Sequence, residues 1–181
     1  MEVIIYVSIA LVVGVVVTFL LMRLSFAKRN AEQVRTAVLA HRADGSFEHM
    51  VQPKLVYISN TTELGTVYTK AELEALRRAC DQWGLYLYCD GARLAAAMSV
   101  SDAELADYAA LCHAFTIGGT KNGLMIGEAV VLLNPKLNED FLYRRKQAMQ
   151  LCSKMRFIAA QFKAYFTDDL WKRNAEHSNA M

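Results

Sequence analysis

At 181 residues the chain has room for one domain of ordinary size. Hydrophobic residues make up 54% and charged residues 21%, a balance that excludes a disordered polymer. Net charge is only +2 and no strongly basic block follows Arg35, which argues against nucleic acid as a partner. Cys80, Cys89, Cys112 and Cys152 are far apart, with no Cys-x-x-Cys and no paired histidines. That pattern supports neither a metal site nor a disulfide framework, and predicts buried, reduced thiols.

Residues 3–22 form an apolar run interrupted only by Tyr6, Ser8, Gly14 and Thr18. Twenty helical residues extend roughly 30 Å, the hydrocarbon thickness of a bilayer. Glu2 precedes the run, no small-residue cleavage site ends it, and Arg23, Lys28, Arg29 and Arg35 follow. The reading is a membrane span rather than a cleaved leader, with residues 1–26 as a transmembrane-like helix. The basic flank puts residues 27–181 in the cytoplasm as the chain's folded domain.

The next elements alternate. Residues 30–41 read as a helix with Asn30 as its N-cap and Gln33 completing a capping box, and 41–52 as a polar connection. Residues 55–58 form a β-rich run. Thr69 and Glu72 open a helix with Leu73, Leu76, Cys80 and Trp83 on one stripe, stopped at Gly84. Residues 85–89 are a second strand. Ser101 and Glu104 read as another capping box, leading a helix with Leu105, Tyr108, Ala109 and Cys112. Strands at 114–117 and 128–133 follow, with 137–165 largely helical and a last helix from Asp168. Strands separated by helices predict parallel βαβ units; the strand at 128–133 has no helix before it and is expected to return antiparallel.

In parallel α/β sheets ligands bind beyond the carboxyl ends of the strands. Asp90, Lys121 and the Thr61–Thr62 pair all follow predicted strands and so share one edge. A carboxylate and a glycine-flanked lysine there suit pyridoxal phosphate (PLP). The lysine carries the cofactor as a Schiff base, and the carboxylate keeps the pyridine nitrogen protonated. Each residue also has a plainer reading. Asp90-Gly91 is a common turn pair, Lys121 a common solvated lysine, and glycines 118, 119 and 123 could cradle a phosphate without Schiff-base chemistry. The loop lacks Walker spacing, and no Gly-x-Gly-x-x-Gly follows a strand.

Several stretches carry a family likeness: Gln52-Pro53-Lys54-Leu55-Val56-Tyr57-Ile58-Ser59, Thr62-Glu63-Leu64-Gly65-Thr66-Val67-Tyr68 and Tyr88-Cys89-Asp90-Gly91-Ala92-Arg93-Leu94. Ile117-Gly118-Gly119-Thr120-Lys121-Asn122-Gly123 and Gly127-Glu128-Ala129 complete the set. In this order they resemble the middle part of the threonine aldolase and aromatic amino-acid β-eliminating lyase family.

The resemblance implies an α/β fold, part of the three-layer large domain of the aspartate aminotransferase fold, here behind one hydrophobic helix. It implies PLP as cofactor, with Lys121 as the catalytic lysine, Asp90 on the pyridine nitrogen, Arg93 on the cofactor's polar substituents and Thr120 near its phosphate. Arg156 matches an arginine near the substrate carboxylate, and Thr62 stands where some members carry a histidine beside the substrate. The implied activity is cleavage of a β-hydroxy amino acid to glycine and an aldehyde, by a homo-oligomer acting on a small amino acid. Members also carry an N-terminal portion with phosphate-binding backbone and a ring-stacking histidine, and a C-terminal small domain; no counterpart of either is read here. The alternative expectation is therefore a membrane-anchored remnant or fusion product that binds or interacts without turnover.

Overall fold

The computed structural model describes residues 28–181. The expected span at 3–22 lies outside them, and among the described residues no helix is long and apolar enough to cross a membrane.

The chain enters at helix α1 (Ala31–Ala43), where Asn30 and Gln33 form the expected capping box. Strand β1 (Leu55–Ser59) leads to α2 (Lys70–Trp83), capped reciprocally by Thr69 and Glu72. Leu73, Leu76, Ala79 and Cys80 form its buried stripe. Strand β2 (Tyr86–Asp90), the short α3 (Leu94–Met98), α4 (Leu105–Leu111) and β3 (Ala114–Gly118) follow. A single 3-10 turn, Thr120–Asn122, carries Lys121 before β4 (Glu128–Leu132).

The strands lie in the order β1-β2-β3-β4. β1, β2 and β3 are parallel, and β4 returns antiparallel on β3, as the missing crossover helix required. Val56, Ile58, Leu87, Cys89, Phe115 and Ile117 line one face and meet Val34, Val38, Leu73, Leu76, Cys80 and Tyr108 from the helices in one core. The opposite face is open over β1, where Leu55 is 55% and Tyr57 52% exposed. The described residues therefore supply a sheet and its helical cover on that core face, and no equal cover over β1 on the other.

Three local expectations are corrected. Ser101 does not cap α4: its hydroxyl donates to the Tyr68 carbonyl and accepts from the Ala103 N–H, while Glu104 and Asp107 form the box. The helix expected over 137–165 is broken into α5 (Pro135–Asn138), α6 (Phe141–Gln147) and α7 (Arg156–Phe166). Asp140 and Met149 hold left-handed backbone (φ 55° and 56°), which ends a right-handed helix at each place. Arg144 and Arg145 thus lie on a different helix from Arg156. A last helix, α8 (Leu170–Ala180), follows a 3-10 turn at Thr167–Asp169. All four cysteines are free thiols; three are buried as expected, but Cys152 is exposed.

Candidate functional site

The ends of β2 and β3 are pressed together. The Gly91 N–H donates to Thr116 Oγ1 at 3.0 Å, and the Gly118 N–H donates to the Gly91 carbonyl at 3.0 Å. A Cβ on Gly91 would lie 2.0 Å from the Thr116 carbonyl oxygen, and one on Gly118 would lie 2.7 Å from Ala92. Only glycine permits that approach, so both positions serve the contact rather than merely turning the chain. The strand end bearing Asp90 is thereby fixed against the one that leads to Lys121.

Asp90 is well held. Tyr57 Oη donates to Asp90 Oδ2 at 2.5 Å, and the Ala92 N–H donates to Oδ1 at 2.9 Å. The Asp90 carbonyl accepts from the Asn60 N–H at 3.0 Å. Asn60 is fully buried, and its amide donates to Tyr108 Oη at 2.5 Å. Desolvation, followed by the bond to Asp90, pushes the Tyr57 phenol up to about 12, so it keeps its proton and donates. Sequence reasoning missed Tyr57. The signal was in the register: Ser59 pairs with Asp90, which puts Tyr57 on the same sheet face.

Lys121 is exposed and makes no hydrogen bond or ion pair among the described residues, so its amine is available. It lines a cavity of about 210 Å³ with Arg93, Gly118, Asn122 and α8 residues Ala175 and Ser178. Arg93 Nη1 meets Glu63 at 3.0 Å. Both partners are partly exposed, and such a pair is weak enough to yield to another anion. Thr120 instead borders a neighbouring cavity of about 740 Å³ with Glu128, Phe141, Arg144, Arg145 and Gln150. Arg145 Nε is buried without a partner among the described residues, a donor of the kind that an anionic group satisfies.

Two predicted residues line neither cavity. Thr62 is buried, its hydroxyl bonded to Thr66 Oγ1 at 2.7 Å within its own turn. Arg156 is exposed at the start of α7, stacked 4.9 Å from the centre of the Phe157 ring, and lines neither cavity. Lys121 and Arg93 share one cavity, the Gly91–Gly118 contact joins the Asp90 segment to the strand end before Lys121, and Thr62 directly precedes the Glu63 that pairs with Arg93.

An accessible amine, a fixed carboxylate and the Arg93 guanidinium in its exchangeable pair with Glu63 form a donor set that fits PLP. Asp90 Oδ2 has a further lone pair beyond the one Tyr57 uses.

Comparison with known proteins supplies the family and the fold. The family model described as beta-eliminating lyase matches residues 17–181, so it takes in the end of the apolar run. Over 134 residues, 72% of this chain, the sequence is 46% identical to low specificity L-threonine aldolase of Pseudomonas aeruginosa. It is 44% identical to a protein of the same name from a Pseudomonas species. The chain spans 38% of the length of each. A solved structure of Leishmania major threonine aldolase superposes with a TM-score of 0.81 at 44% identity, covering 86% of this chain and 45% of that one. The mixed α/β arrangement described above is thus that enzyme's fold over the shared part, and the chain belongs to the beta-eliminating lyase family.

Proposed function

We propose that this chain carries the lysine-and-aspartate centre of a PLP-dependent lyase of threonine aldolase type, cleaving a β-hydroxy amino acid to glycine and an aldehyde. The observation that carries the reading is the backbone contact of Gly91 with Thr116 and of Gly118 with Ala92, which keeps a carboxylate-bearing strand end against a lysine-bearing one. When bound, the cofactor supplies an electron sink for the carbon–carbon bond that breaks.

The chain's own residues do the holding. The Lys121 amine would hold the cofactor. Asp90 would face the pyridine nitrogen, and the hydrogen bond from Tyr57 keeps that carboxylate oriented. Arg93 would release Glu63 for a polar substituent of the cofactor, and Thr120, which borders one cavity with Arg145, would meet the phosphate. Thr62 and Arg156 are assigned to the substrate. The competing reading is a membrane-anchored remnant or fusion product that is catalytically inactive and acts at most as a binding or interaction module. Homo-oligomerisation and a membrane anchor at residues 3–22 are further parts of the proposal. The anchor is supported by the length of the apolar run and its basic flank; extraction into alkaline carbonate would remove it.

The test is to titrate the chain with PLP, reduce with borohydride and map the modified peptide. Modification at Lys121, abolished by Lys121→Ala, supports the reading. Modification spread over surface lysines refutes it. Release of glycine from L-threonine separates the lyase from the binding-only alternative.

A further inference from the structure

We propose that helix α8 is a strap that positions the Lys121 turn, with Asn122, Tyr165 and Asn174 as its lock. The inference rests on the reading of Lys121 as the cofactor lysine, and its experiment separates the two.

Lys121 sits in the middle of one 3-10 turn, and a turn this short has little stability of its own. The Asn122 and Leu124 N–H groups close it on the Gly119 carbonyl at 2.9 and 3.0 Å. The remaining restraint comes from far along the chain. Asn122 Nδ2 donates to Tyr165 Oη at 2.6 Å and to the Trp171 carbonyl at 2.8 Å, using both of its amide hydrogens. The Asn122 carbonyl accepts from Asn174 Nδ2 at 3.0 Å. The residue next to the lysine is therefore held through both its side chain and its main chain. Tyr165 is 2% exposed and packed in the core, so the anchor does not drift. A Cβ on Gly123 would sit 2.6 Å from Asn174 Nδ2, so that amide lies directly on the turn.

The far end of α8 is tied as well. Asn179 Nδ2 donates to the Ala96 carbonyl at 3.0 Å and to Ser99 Oγ at 2.7 Å. Those residues belong to or adjoin α3, the helix that follows Asp90-Gly91-Ala92-Arg93. One helix thus bridges the segment bearing Asp90 and Arg93 and the turn bearing Lys121, and its Ala175 and Ser178 close the cavity that Arg93 and Lys121 share. Holding two reacting segments in fixed relation removes conformational freedom before the cofactor arrives. Tyr165 and Asn174 line neither cavity and act through Asn122; they are positioning residues.

The experiment uses the full chain with Asn174→Leu, a near-isosteric change that removes the donor. A second variant, Asn179→Ala, loosens the exposed end of the strap. Two quantities are read: hydrogen exchange of the 119–124 peptide without PLP, and the PLP concentration that half-saturates borohydride-fixed modification of Lys121. Asn174→Leu is expected to speed exchange at 119–124 while leaving the α2 peptide 73–80 protected, and to raise the half-saturating concentration roughly three- to tenfold, the range for one hydrogen bond. Asn179→Ala should move both in the same direction by less. Unchanged exchange at 119–124 in both variants overturns the strap. So does a loss of protection spread evenly through the chain, which would mark a purely structural role. If the parent chain captures no PLP at Lys121 the proposed function fails, and exchange alone then decides the strap.

Discussion

The two faces of β1 make an instructive contrast. Val56 and Ile58 are 9% and 2% exposed on the core face, while Leu55 and the amphipathic Tyr57 are more than half exposed on the other. Strand residues apolar on both sides belong to a sheet covered on both faces. The described residues supply one cover fully and leave the second face bare over β1. The Asp90–Tyr57 pair lies on that second face, so the carboxylate assigned to the cofactor belongs to the less covered side of the sheet.

Substitutions on either side sharpen this contrast. The largest effect is expected from Leu76→Ala on the covered side, where a fully buried leucine leaves a cavity; about 2–5 kcal/mol should be lost in denaturant unfolding. Next comes Gly91→Ala, whose methyl would meet the Thr116 carbonyl and force the strand ends apart. It should cost roughly 1–3 kcal/mol and weaken Lys121 modification, whereas Gly45→Ala, with open space around it, should change neither.

A smaller, pH-dependent effect is expected at His113. Its Nδ1 accepts from the Leu87 N–H at 2.9 Å, and burial lowers its pKa below the ordinary 6.5. The folded state therefore favours neutral imidazole. The stability this provides is present above about pH 6.5 and is lost as pH falls through the lowered folded value. His113→Asn should flatten the fall in melting temperature over that window, and an unchanged slope would deny the effect. The smallest change belongs to the bare face: Leu55→Ser should shift stability by less than about 0.5 kcal/mol. A loss above about 2 kcal/mol would mean that something covers β1 on that side.

Much of the fold was legible because local signals agreed with it. Thr69 and Glu72 start α2 where the pattern put them, and the missing helix before β4 foretold its antiparallel return. Other features had weaker local signals. Met149 adopts left-handed backbone with no glycine or proline beside it, so nothing in Gln147-Ala148-Met149-Gln150 announced the end of a helix. Helix α3 was overlooked although Leu94-Ala95-Ala96-Ala97-Met98 is rich in the best helix former. Ser101 and Glu104 matched a capping pattern, but tertiary bonds to Tyr68 claimed the serine. The lysine and aspartate of the candidate site were found from their strand-end positions. Their supports were not, because Tyr57 reaches Asp90 and Asn174 reaches Asn122 only after the chain has folded back on itself.

The central claim is that Lys121 and Asp90 serve one ring. A crystal structure of the chain grown with PLP tests it most directly. The account predicts density continuous from Lys121 Nζ into the cofactor, with an Asp90 carboxylate oxygen within hydrogen-bonding distance of the pyridine nitrogen. A cofactor attached elsewhere, or attached to Lys121 with Asp90 still paired only to Tyr57 on the far face, would contradict it.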